Sequence, residues 1–208
     1  MEPYLFIKGL IIGFSIAAPV GPIGILCIRL TLSEGRARGL VCGLGAATAD
    51  AIYGSIAGFG LTAASAFLVN YNSYLSAIGG LFLLYLGFKT IMAPPSQNQA
   101  PAGRGGLAGT YASTFFLTLV NPMTILSFAA VFAGLGIGSG VKEHLAAAQL
   151  ISGVFTGSAL WWFFLSGAVG LFRERITPPG LKWINIISGA VLLIFGVVSL
   201  SNVNWLKG

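Results

Sequence analysis

Between Gly9 and Ile28 the chain carries no charge, and the middle of that run reads Ala17-Ala18-Pro19-Val20-Gly21-Pro22-Ile23-Gly24. About 20 apolar residues, rising 1.5 Å each as a helix, span the hydrocarbon core of a bilayer. Proline removes a backbone donor and pushes away the carbonyl one turn back, so a helix here must break or kink at mid-depth. Inside a membrane the freed backbone groups need partners on other helices, on trapped water or on a ligand. Few folds can hold such a break.

Composition agrees with a membrane environment. Of the 208 residues, 56% are hydrophobic and 8% charged, with mean hydropathy +0.89, whereas a soluble domain carries about 25% charged residues. Nearly uncharged runs lie at 9–28, 39–69, 74–92, 105–141, 145–172 and 183–206. The reading is an all-α integral membrane protein with six spans, which leaves no room for a soluble catalytic domain. The formal charge of +6 does not point to nucleic acid, because the basic residues form no continuous patch with interleaved aromatics. They sit between the apolar runs, where loop charge sets topology. Six spans place Arg29, Arg36, Arg38, Lys89, Arg104, Arg173, Arg175 and Lys182 on one side, against Lys8, Lys142 and Lys207 on the other. The richer side is expected in the cytoplasm, with both termini outside. The first run is too long, and too polar at its break, for a cleaved signal peptide. Cys27 and Cys42 are expected as free thiols; they form no Cys-x-x-Cys pair and support neither a redox nor a metal site.

The expected spans are 5–30, from near 39, 74–92, 108–136, 145–172 and 182–203, with Trp183 and Trp205 anchoring the last at the interfaces. Residues 93–107, with Pro94-Pro95 and Gly103-Arg104-Gly105-Gly106, read as a water-exposed cytoplasmic linker. Small residues at Gly39-x-x-x-Gly43, Gly54-x-x-x-Gly58 and Gly153-x-x-x-Gly157 permit close helix approach and are compatible with a homodimer. The third and sixth spans match at an offset of 109: Ile78 with Ile187, Gly80 with Gly189, Leu83-Leu84 with Leu192-Leu193, and Gly87 with Gly196. The first span of each half carries a proline break, at 19–22 and at Asn121-Pro122. The chain thus divides into three-helix repeats at 1–92 and 108–208, joined by 93–107, within one membrane transport domain over 1–208. An odd number of spans per half makes the halves inverted, the arrangement in which secondary transporters hold substrate where broken helices meet at mid-membrane.

Asp50 lies about 17 Å into the second span and is the one acid inside the spans. A carboxylate at that depth costs about 2.5–3.5 kcal/mol and faces a cavity or a partner. It reads as a proton or substrate-amine site, or else as a protonated structural link between helices. Pro19, Gly21 and Pro22 expose backbone groups to substrate or simply kink the helix. Asn121, beside Pro122, offers donor and acceptor to an amino or carboxyl group, or satisfies the carbonyl that Pro122 frees. Trp161, Trp162 and Tyr85 line or gate a pathway, or pack against lipid. No Gly-x-Ser-x-Gly, P-loop or His-Glu-x-x-His motif is present, so the chain reads as no enzyme, with no cofactor and no metal.

These residues, taken in order, resemble the LysE-type family of amino-acid exporters, which includes lysine and homoserine/threonine exporters. The resemblance covers essentially the whole chain. It rests on Pro19-Val20-Gly21-Pro22, the Gly35-Arg36 to Gly39 loop, Asp50, the Gly-x-x-Leu-x-Tyr-Leu-Gly pattern ending at Gly87, and Asn121-Pro122. It implies a multi-pass exporter of amino acids or related small metabolites in the bacterial inner membrane, coupled to protons. The family commonly has a lysine directly after Asn-Pro; here that position is Met123. The alternatives are a metal-ion or other small-solute exporter, for which one in-span carboxylate is poor support, and a non-transporting structural membrane protein, since buried polar residues also join helices.

Overall fold

The computed structural model describes residues 3–19, 21–59, 71–93, 106–121, 123–128, 144–175 and 177–201. Its helices are α1 (Pro3–Ala17), α2 (Pro22–Glu34), α3 (Arg36–Gly58), α4 (Asn72–Ile91), α5 (Gly106–Leu119), α6 (123–128), α7 (His144–Gly170) and α8 (Pro178–Ser201), with a 3-10 turn at Arg173–Arg175. The described residues contain no strand. Four helices, α3, α4, α7 and α8, are long and apolar enough to cross a membrane, and five spans result if the bent pair α1 and α2 counts as one. The expected fourth span, 108–136, is described as α5 and α6; residues 129–136 lie outside the described residues, as do 94–105 of the expected linker and Trp205.

The first span breaks where the prolines require it. The axes of α1 and α2 differ by 79°. Pro19 and Pro22 have no N–H to offer the carbonyls of Ser15 and Ala18, so the α1 ladder ends. Gly21 donates to the Pro19 carbonyl at 2.9 Å and accepts from Ile25 at 3.0 Å. Pro22 is then a first helical residue, where a missing N–H costs nothing. The turn from α2 to α3 needs Gly35, whose φ of +101° disfavours a side chain.

Helix α3 is central, packed against α7, α5 and α2; α1 packs on α7, and α4 on α8. Two of these contacts are backbone to backbone. Gly9 and Gly13 of α1 face Gly153 and Gly157 of α7, and a Cβ at any of the four would collide with the opposing main chain. A Cβ at Gly80 would lie 3.0 Å from the Gly196 carbonyl, and one at Gly87 2.8 Å from the Gly189 carbonyl. In lipid there is little hydrophobic drive between helices, so this close packing supplies much of the association. One apolar cluster gathers Ala17, Leu26, Ala46, Leu83, Trp162 and Leu192; another joins Ile12, Tyr53, Ile125, Phe128, Leu150 and Val154.

Polar ties hold the end of the molecule where α2 meets α3. Arg38 is buried there: its Nε donates to Thr110 Oγ1 at 2.9 Å, Nη2 to the Gly106 carbonyl at 3.1 Å, and Nη1 lies 2.7 Å from Glu34 Oε2. Arg29 donates to Asn185 Oδ1 at 3.1 Å. Cys27 and Cys42 are free and fully buried. Cys27 Sγ lies 3.5 Å from Ser166 Oγ, and Thr114 donates to Cys42 Sγ at 3.3 Å.

Candidate functional site

The second break repeats the logic of the first with different groups. Asn121 N–H donates to the Thr118 carbonyl at 3.2 Å, and the Asn121 carbonyl accepts from Ile125 at 3.1 Å, which starts α6. The Asn121 side chain accepts from Met123 N–H at 3.2 Å and donates to Thr124 Oγ1 at 3.0 Å. That is a helix cap, and it commits part of the amide locally. The Leu119 carbonyl, left without a ladder partner, accepts instead from the Tyr53 hydroxyl at 2.6 Å. Tyr53 reaches it from α3, three residues beyond Asp50, on the same face of the helix.

Asp50 is only 3% exposed. Ser158 on α7 donates to its Oδ2 at 2.6 Å, and Trp162 Nε1, one turn further, donates to Ser158 Oγ at 3.1 Å. Gly43, two turns before Asp50, leaves the room that the Trp162 side chain fills. The serine thus bridges a carboxylate on one central helix and an indole on another.

A cavity of about 110 Å³ lies against this group. Its described lining includes Pro19, Gly21 and Gly24 from the first break, Asn121 and Met123 from the second, Asp50 from α3 and Trp162 from α7. Thr118, Thr124 and Ser127 add hydroxyls, and Ile16, Ala17, Ile23 and Ala46 add apolar walls. The two breaks and the acid, more than 100 residues apart at their extremes, meet at one place.

Other expected site residues lie elsewhere. Pro22 is buried at the start of α2 and is absent from the described lining. Pro122 lies outside the described residues. Trp161 is absent from the described lining and packs edge-on against Phe14 of α1, with ring centroids 5.4 Å apart. Tyr85 is 57% exposed on α4, under the Lys89 ammonium at 5.6 Å. Ser158 and Tyr53 were not singled out by the sequence, although the residue spacing of 108 between Asp50 and Ser158 is close to the 109 that relates α4 to α8. Among the described residues, no group of three or more His, Cys, Asp or Glu side chains is placed to hold a metal.

Helices long enough to span, with a bent pair beside a buried acid and a cavity, define a polytopic membrane protein. The chain belongs to the LysE type translocator family, whose family model matches residues 14–202. It is 30% identical over 199 residues to the "Putative amino acid efflux protein YcgF" of Bacillus subtilis (strain 168), covering 92% of this chain and 93% of that protein. It is 27% identical over 177 residues to the "Uncharacterized membrane protein YahN" of Escherichia coli (strain K12), covering 82% and 77%. No solved structure gives a significant match. Members of this family are transporters rather than enzymes, so the chain is a multi-pass membrane protein of a bacterial transporter family.

Proposed function

We propose that the chain exports an amino acid or a related small metabolite across the bacterial inner membrane by proton-coupled alternating access. The observation that carries this reading is the convergence of both helix breaks and Asp50 on one cavity. Family membership and the efflux relative support the direction of transport. In this scheme the cavity holds the substrate between the two breaks. Asp50 pairs with the substrate amine or takes up the proton, and the exchange of one for the other ties outward substrate movement to inward proton flow. A ligand can drive such a cycle only by binding its two states differently, and a carboxylate that is alternately paired with an amine and protonated provides that difference.

We also read the chain as two inverted three-helix halves, with the Arg-rich end in the cytoplasm and both termini outside. Support comes from α4 and α8. Contacts Gly80–Gly196 and Gly87–Gly189 exchange into one another under the 109-residue offset, as a two-fold axis in the membrane plane requires. The pairing of α1 with α7 and of α5 with α3 is related in the same sense.

The test is uptake of labelled amino acids into inside-out vesicles, with and without a proton gradient. Wild-type protein is expected to take up at least one class in a gradient-dependent way. Asp50→Asn is expected to insert normally and lose that uptake. Full export by a well-inserted Asp50→Asn chain would remove the carboxylate from the mechanism.

A further inference from the structure

The cavity also restricts what the substrate can be. Asp50 is the one charged side chain among its described lining residues. A buried charge is tolerated when it is paired, and here its protein partner is a neutral hydroxyl, that of Ser158. A ligand ammonium supplies the missing opposite charge. A second carboxylate on the ligand would instead meet a like charge with no cation on the described wall to offset it.

The remaining polar lining is neutral and able to donate. Thr124 Oγ1 accepts from Asn121, and its own proton has no acceptor among the described residues; Ser127 Oγ makes no hydrogen bond there. These two hydroxyls can donate to a carboxylate, an ester or another hydroxyl, and a ligand with no such acceptor leaves them unmet. Met123, also on the lining, is uncharged and 59% exposed. The volume favours small ligands. A cavity of roughly 150 Å³ accepts benzene, and a partly open cavity of about 110 Å³ suits a ligand of that size or smaller.

We infer that the site takes small primary amines bearing one further hydrogen-bond acceptor, that a hydroxyl can serve as that acceptor in place of a carboxylate, and that dicarboxylic amino acids are excluded. The inference rests on the exporter reading for the place of the site, and on the charge and size of the lining for its selectivity.

Two measurements on the full-length protein separate the inference from that reading. In detergent, ligand binding raises the melting temperature by mass action. Alanine, serine and ethanolamine, each at millimolar excess, are expected to raise it with apparent affinities within about tenfold, and isopropylamine, which has no acceptor for the wall hydroxyls, to bind at least about tenfold more weakly than ethanolamine. Glutamate and aspartate are expected to raise it at least about tenfold less effectively in affinity than alanine, and Asp50→Asn to abolish all these shifts. In inside-out vesicles serine and ethanolamine are expected to compete with labelled alanine. Met123→Lys adds a cation to a lining residue and is expected to favour alanine over ethanolamine by about tenfold relative to wild type, the scale of one added charge-assisted hydrogen bond. Glutamate acting as well as alanine, or ethanolamine failing to bind while alanine binds, overturns the selectivity and leaves the exporter reading intact. Binding of the amines without any flux upholds the selectivity and overturns the exporter reading. Failure of every ligand both to bind and to move overturns both.

Discussion

At the residue scale, the arrangement turns on one serine. Its hydroxyl has a single proton, given to Asp50 at 2.6 Å, and its oxygen receives the indole proton of Trp162 at 3.1 Å. Ser158→Ala leaves both partners without it in a buried setting, where an unmet polar group costs about 1–3 kcal/mol. The expected outcome is a correctly inserted protein whose gradient-driven uptake falls about tenfold. Asp50→Asn is expected to remove uptake altogether, so comparing the two rates in vesicles of matched protein content separates positioning from participation. Asp50 could be picked out from sequence because an acid in an apolar run has few explanations. Ser158 could not, because a serine in a membrane helix can return its proton to its own backbone, as Thr48 and Ser55 do in α3. Only the rotation of α7 against α3 decides otherwise.

At the element scale, the breaks were legible and the crossings were not. Pro19 and Pro22 lack N–H groups whatever surrounds them, so the end of α1 and the start of α2 follow from local chemistry. Helix faces in lipid carry no such signal, since the bilayer is as apolar as the protein interior and amphipathic periodicity fades. Gly153-x-x-x-Gly157 stood out by spacing, yet its partner, Gly9-x-x-x-Gly13, was hidden among 30 glycines. Cys27 and Cys42, unremarkable at their sequence spacing, come to lie in the same apolar cluster. The crossing of α1 and α7 makes a sharp prediction. Gly157→Leu forces a side chain into the α1 backbone and is expected to cost about 1–3 kcal/mol or more, read as a lower melting temperature in detergent. Gly109→Ala, whose added Cβ meets nothing within 4 Å, is expected to be neutral or to stabilise by up to about 1 kcal/mol through helix propensity.

At the scale of the whole molecule, the Arg38 group ties the start of α3 to the end of α2 and the start of α5, fastening the two proposed halves together at the Arg-rich end. The expected orientation is testable with single cysteines, because Cys27 and Cys42 are fully buried and give a quiet background. A cysteine replacing the exposed Arg175 is expected to react with an impermeant maleimide only in inside-out vesicles, and one replacing the exposed His144 only in right-side-out cells. The reverse pattern would invert the expected topology. That expectation rests on the charge split across the loops. The meeting of the two breaks was an expectation of the inverted arrangement; the side chains that seat it were not, because they depend on how α5 and α6 lie against α3 through contacts such as Tyr53 to Leu119.

The bridge between Asp50 and Trp162 also has an optical consequence. An indole N–H held by a hydroxyl that is itself bound to a carboxylate senses the charge one bond further on, since linked hydrogen bonds polarise one another. The emission of this buried tryptophan, read in a variant lacking the other three, is therefore expected to shift when the acid beside it gains a proton or a ligand.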